Sequence, residues 1–260
     1  MRRIAAALIA FLPIMAQAEG LTSLETGDDG RGWAGVGRLD LGGRAFCTGV
    51  LIEPDLVLTA GHCLFDKQTG TRIDPATIRF LAGWRHGRAE AYRGVKKAVA
   101  HPDFVYSGED LLARVSHDLA LVQLDQPIRL PSVTPFAIAP RPQTGDQIGV
   151  VSYARERAEA PSLERACQVL DDRPGVLVMD CAVDFGASGS PVFTLGGGVP
   201  RVVSVVSSKA DAGGRVVALG TALEQPLSDL RHELTVAPDP FASGRALSGG
   251  GAPGAKFVRP

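Results

Sequence analysis

The chain has 260 residues, 45% hydrophobic and 21% charged, with a formal net charge of −1. That length can bury a large core, and the near-neutral charge excludes the basic footprint that nucleic acid or an anionic membrane would select. Gly (31) and Pro (18) are both abundant, which favours turns and short strands over long helices.

The first 18 residues read as an export signal. Arg2 and Arg3 give a positive start, "IAAALIAFLPIM" an apolar run, and Ala16-Gln17-Ala18 a small-residue cleavage site before Glu19. The apolar run is too short to span a bilayer comfortably. The mature chain is therefore expected to be secreted or periplasmic, with no membrane anchor. Residues 19–32 form an N-terminal segment, whose "GDD" at 27–29 reads as solvated carboxylates rather than a calcium site.

From residue 33 the sequence alternates apolar runs with turn residues. "WAGVGRLDL", "AFCTGVLI", "LVLTAGHC", "TIRFLAGW", "AYRGVKKAVAH" and "DLALVQL" read as strands of a first half, 33–134. Pro127, Pro131 and Pro135 punctuate a connector. "QIGVVSYA", "RACQVL", "GVLVMDCAV", "SPVFTL", "RVVSVVSSK" and "RVVALGTA" supply a second half, 135–236. About six short strands in each half point to an all-β sandwich or barrel. "EQPLSDLRHEL" fits one amphipathic helix, with Leu223, Leu227, Leu230 and Leu234 along one face. Residues 237–260 hold little to bury and are expected to be disordered.

Four cysteines, Cys47, Cys63, Cys167 and Cys181, follow the signal, an even count that predicts two disulfides in an exported chain. Three pairings are possible. The sequence-local one staples a loop of about 15 residues in each half, worth about 3 kcal/mol apiece on the chain-entropy account. There is no C-x-x-C and only His62 lies beside a cysteine, so no metal or other cofactor is expected.

Three motifs carry chemistry. "LTAGHC" sets His62 just after an apolar strand, "SHDLALVQL" sets Asp118 at the mouth of another, and "GASGSP" sets Ser188 in a glycine-flanked turn. These are the parts of an activated nucleophile: imidazole as base, carboxylate to orient it, hydroxyl to attack. Gly186 and Gly189 allow a backbone tight enough for the N–H groups of Gly186 and Ser188 to face a developing oxyanion. His86, His101 and His232 sit in no comparable context, and a structural role is expected for each.

The His…Asp…Ser order and these motifs resemble the chymotrypsin/trypsin superfamily of serine proteases. "FCTGVLI" before the His motif and "VAHPDF" before the Asp motif match its usual surroundings. "GASGSP" is closest to the bacterial branch that includes the glutamyl endopeptidases. The resemblance covers residues 33–234 and implies two six-stranded antiparallel β-barrels, with the triad in the crevice between them. It also implies a Cys47–Cys63 disulfide clipping the His loop. Cys167–Cys181 is then the second pair.

The resemblance places Ala182, six residues before the nucleophile, on the floor of the substrate pocket, where no carboxylate awaits an Arg or Lys. Asp180 and Asp184 lie close enough for a slip in alignment to bring one in. "VVSSK" resembles the pocket-wall strand: Ser207 fits the pattern, whereas Ser208 and Lys209 replace its aromatic-glycine pair. Family members switched on by a freed Ile or Val amine need a carboxylate before the nucleophile. Here Ala187 stands there, and "EGLTSLETGDDGRGWAG" lacks the matching Ile-Val-Gly-Gly start. The expected function is an exported serine endopeptidase, monomeric and acting on polypeptides. The alternatives are a catalytically weak binding module and an esterase built on the same triad.

Overall fold

The computed structural model describes residues 21–184 and 186–237. The expected signal at 1–18 and nearly all of the expected tail lie outside the described residues. Strands β1 (Thr22–Ser23), β2 (Val36–Leu41), β3 (Phe46–Glu53), β4 (Leu56–Thr59), β5 (Ile78–Ala82), β6 (Ala91–Ala100) and β7 (Ala120–Leu124) come first. β8 (Gln147–Ala154), β9 (Arg157–Arg173), β10 (Val176–Met179), β11 (Pro191–Thr194), β12 (Arg201–Asp211) and β13 (Val216–Ala222) follow. β2-β3-β4-β7-β6-β5 close into one antiparallel barrel. β9-β10-β13-β12-β11-β8 close into a second through the β8–β9 pairing, with β1 added outside β9. The architecture is that of a chymotrypsin-like protein.

Local chemistry accounts for the hairpins. Gly42 and Gly43, between β2 and β3, take φ of 67° and 72°, which a side chain would resist, and Asp40 Oδ1 accepts from Gly43 N–H at 2.7 Å. β4, "LVLT", is buried along its whole length, whereas β6 buries only Ala91, Val95, Val99 and Ala100 and leaves Tyr92 exposed. The barrels meet over Trp33, Phe136 and Phe193, whose ring centroids lie 4.8 to 5.9 Å apart. Ile148, Val150, Leu177, Met179 and Val192 fill the second barrel. Both disulfides are the sequence-local pairs, Cys47–Cys63 and Cys167–Cys181.

Two elements differ from the sequence expectation. β9 runs 17 residues, where only "RACQVL" reads as strand. Its first part is charged and contains Pro161, which the fold accommodates where the β8–β9 register shifts. A second helix, α1 (Leu111–Ser116), accompanies the expected C-terminal one, α2 (Glu224–Val236). At six residues α1 is too short for a periodic signal. It starts because Asp110 Oδ1 accepts from Leu112 and Ala113 N–H, and it buries Val115.

Candidate active site

Each candidate side chain is delivered by the end of a strand or helix. His62 sits in a 3-10 turn (Gly61–Leu64) directly after β4, clipped by the Cys63 disulfide. Gly61 keeps this turn close: an added Cβ would stand 3.2 Å from Asp118 Oδ1 and from the Leu119 backbone. Asp118 lies between α1 and β7, 3% exposed.

Burying a carboxylate is costly unless donors surround it. Asp118 has three. Its Oδ1 accepts from His62 backbone N–H at 2.7 Å, its Oδ2 faces His62 Nδ1 at 2.7 Å, and Ser207 Oγ donates to Oδ2 at 2.5 Å. Thr221 Oγ1 donates to the carbonyls of Val115 and Asp118, at 2.7 and 3.2 Å, and so ties this corner to β13 of the other barrel. With Nδ1–H directed at the carboxylate, His62 Nε2 keeps the lone pair that a base needs.

Ser188 is fixed through its backbone. Its carbonyl accepts from Thr48 N–H on β3 at 2.9 Å, Gly189 N–H donates to Val206 O on β12 at 2.8 Å, and Ser190 N–H to Ala187 O at 3.0 Å. Gly186 and Gly189 have φ of 99° and 78°. A Cβ on Gly189 would collide with Thr59 Oγ1 and the Thr48 carbonyl, so this position admits no side chain. Ala187 and Gly189 both spend their N–H on backbone carbonyls; among the described residues, the N–H groups of Gly186 and Ser188 do not. Among the described residues no hydrogen bond joins His62 to Ser188; such contacts commonly tighten only when substrate binds.

Ser188 borders a cavity of about 250 Å³, together with Val183, Asp184, Val206, Ser207 and Lys209. Ser207 and Lys209 thus line the same cavity as Ser188. Ala182 does not line this cavity: it is exposed, and its N–H donates to Glu164 Oε2 at 2.8 Å. Val183 and Asp184, the next two residues, line it instead. Burial raises the Glu164 carboxyl above its ordinary range, and the Ala182 N–H pulls it back. Lys209 Nζ lies 3.4 Å from Asp184 Oδ1, so the cavity's carboxylate faces a cation. Asp180 is turned away, accepting from Gln168 N–H and pairing with Arg215. A second cavity of about 430 Å³ is lined by His62 itself, with Phe46, Cys47, Lys67, Arg155 and Gly186.

The N-terminal segment lies elsewhere. Thr22 and Ser23 pair with Leu163 and Ser162 of β9, and Leu24 is buried with its N–H on Pro161 O at 2.8 Å. Ala187 is fully buried, with its N–H on Asp184 O. Of the other histidines, His86 pairs with Glu25 at 2.6 Å and His232 lies on α2.

Residues 47–202 match the family model of the trypsin-like peptidase domain. The chain is 25% identical over 148 residues to the glutamyl endopeptidase of Bacillus licheniformis, covering 56% of this chain and 45% of that one. It is 32% identical over 116 residues to kallikrein-10 of Homo sapiens, covering 43% and 40%. It thus spans less than half the length of these relatives. A solved structure of a Glu endopeptidase superposes with a TM-score of 0.69 at 16% identity, covering 85% of this chain and all of that one, which speaks to fold alone.

Proposed function

The chain belongs to the trypsin-like peptidase domain family, and from that premise we propose that it is an exported serine endopeptidase working through an acyl-enzyme at Ser188. The observation that carries this reading is the Asp118–His62 pair. A buried carboxylate with three donors holds the imidazole by Nδ1 at 2.7 Å, leaving Nε2 free as a base. His62 Nε2 takes the Ser188 Oγ proton as Oγ attacks the substrate carbonyl carbon. The Gly186 and Ser188 N–H groups receive the oxyanion. His62 then returns the proton to the leaving amine, and the acyl–Oγ ester forms as the C–N bond breaks. Water, activated by the same imidazole, hydrolyses the ester and restores Ser188. Two separate cavities, one bordered by Ser188 and one by His62 and Gly186, support cleavage within a chain rather than at its end, since substrate has room beyond a single pocket.

The oxyanion turn needs no freed amine in this reading. Its geometry rests on Gly186, Gly189, the Thr48 and Val206 bonds and the nearby Cys167–Cys181 disulfide, while residues 21–32 run along β9 and towards Arg85. Protein expressed from Glu19 under oxidising conditions is expected to label near-stoichiometrically with a fluorophosphonate, its N-terminus intact by mass spectrometry. Ser188→Ala should not label. Labelling that appears only after a further N-terminal cut would overturn the built-in turn. No labelling at all would leave a binding module, and turnover of short esters without peptides would leave an esterase.

For specificity, the walls offered by Val183 and Val206, and the pairing of Asp184 with Lys209, favour an uncharged residue before the scissile bond over Arg or Lys. Lys209→Ala would remove that cation from Asp184 and is expected to raise kcat/KM for Arg or Lys at this position about tenfold relative to wild type, a difference of about 1.4 kcal/mol. Peptide-library profiling reads this directly. A wild-type enzyme that already prefers basic residues would refute it.

A further inference from the structure

His101, Asp103 and His117 line neither the cavity bordered by Ser188 nor those bordered by His62, yet they converge. One ligand atom from each lies within 4.8 Å of the others. They are brought together by long-range folding. His101 follows β6, with its N–H on Leu119 O at 2.9 Å, and His117 caps the C-terminus of α1. The two rings pack with centroids 4.9 Å apart and planes tilted by 34°.

The hydrogen bonds behind the rings fix which nitrogens are available. His117 Nδ1 lies 3.1 Å from the Ala113 carbonyl oxygen, which only accepts, so Nδ1 carries the proton and Nε2 the lone pair. His101 Nδ1 accepts from Asp103 N–H at a long 3.2 Å, so its proton is on Nε2. That Nε2 is buried without a well-formed hydrogen bond, and Asp229 Oδ2 is 3.5 Å away. A carboxylate or carbonyl behind each imidazole, directing the opposite nitrogen forward, is the arrangement that orients metal-binding histidines. Asp103 is exposed and free to swing, whereas His101 is 3% exposed and fixed.

We propose that His101, Asp103 and His117 form a binding site for a divalent transition-metal ion of the zinc class. Two imidazoles and one carboxylate suit zinc and its neighbours, not calcium or magnesium, which take oxygen shells. With bonds of about 2.0–2.1 Å, a tetrahedral shell sets its ligand atoms about 3.4 Å apart, so the cluster closes by at most about 1.4 Å on binding. The ion would replace the long Asp103 N–H bond to His101 Nδ1 and draw Nε2–H onto Asp229. Water would take the fourth position. His117 is bonded through its peptide to Asp118, so a bound ion would also clamp the segment that carries the proposed triad carboxylate. That consequence rests on the peptidase reading; the binding itself does not.

The test uses untagged mature protein carrying Ser188→Ala to prevent self-digestion, freed of metal with chelator and dialysed. Zinc chloride is titrated by calorimetry, and cobalt(II) by visible absorption. One equivalent per chain is expected, with the intense visible bands of four-coordinate cobalt. Asp103→Asn and His117→Gln are each expected to weaken binding about tenfold or more. Asp103 is exposed, so its variant keeps the test sound if the His117 variant fails to fold. Binding should survive His62→Ala. Absence of binding at millimolar metal overturns the proposal. So does equal binding by Asp103→Asn, or loss of binding in His62→Ala, which would move the ion to the imidazole of the proposed triad.

Discussion

Ser188→Ala and His62→Ala are each expected to lower kcat by about 10⁶, and the double variant to lose little more. The reason is that, in the proposed mechanism, the two groups act in one step. Without Oγ there is no acyl-enzyme, and without the imidazole there is nothing to take the Oγ proton. The residual rate then comes from substrate binding and the two amides, which both variants keep. Neither substitution disturbs the Thr48, Val206 or Ala187 bonds that hold the Ser188 turn, because those run through backbone atoms of residues 186–190. Thermal unfolding of Ser188→Ala should therefore match wild type. Steady-state kinetics on a cleavable peptide would decide the matter: additive losses in the double variant, or activity retained in either single one, would refute the assignment.

Asp118→Asn is expected to cost about 10⁴ in kcat with little change in KM. The mechanism is tautomeric. Asp118 accepts three hydrogen bonds, from His62 N–H, His62 Nδ1–H and Ser207 Oγ–H. Asparagine has one acceptor oxygen and an NH₂ group. If its oxygen takes the His62 backbone bond, its NH₂ faces Nδ1 and Ser207. The imidazole then turns its lone pair to Nδ1 and its proton to Nε2, where it cannot act as base towards Ser188. Ser207→Ala removes one donor of three, leaves the tautomer intact and should cost far less, about tenfold. An Asp118→Asn enzyme close to wild type would show that His62 is oriented by something other than this carboxylate. The comparison separates catalysis from folding, since the asparagine is nearly isosteric and Asp118 is 3% exposed.

The local sequence carried a good deal of this. Alternating apolar positions and the Gly42-Gly43 turn announce hairpins because side-chain period and positive φ are short-range properties. "LTAGHC", "HDLALVQL" and "GASGSP" place His62, Asp118 and Ser188 at strand ends, since each motif joins an apolar run to a turn. The cysteine pairs, 16 and 14 residues apart, are local as well. What the tertiary structure alone decided is how distant segments meet. His62 and Asp118 are 56 residues apart, and Ser207 and Asp118 are 89 apart, yet all three share one buried carboxylate. That contact depends on barrel closure and inter-strand register, where a shift of one residue turns a side chain to the opposite face. The same sensitivity puts Val183 and Asp184 beside Ser188 in place of Ala182, through a bond from Ala182 N–H to Glu164 on β9, 18 residues earlier. It also brings His101 and His117, 16 positions apart, into contact at the end of a helix too short to leave a periodic trace.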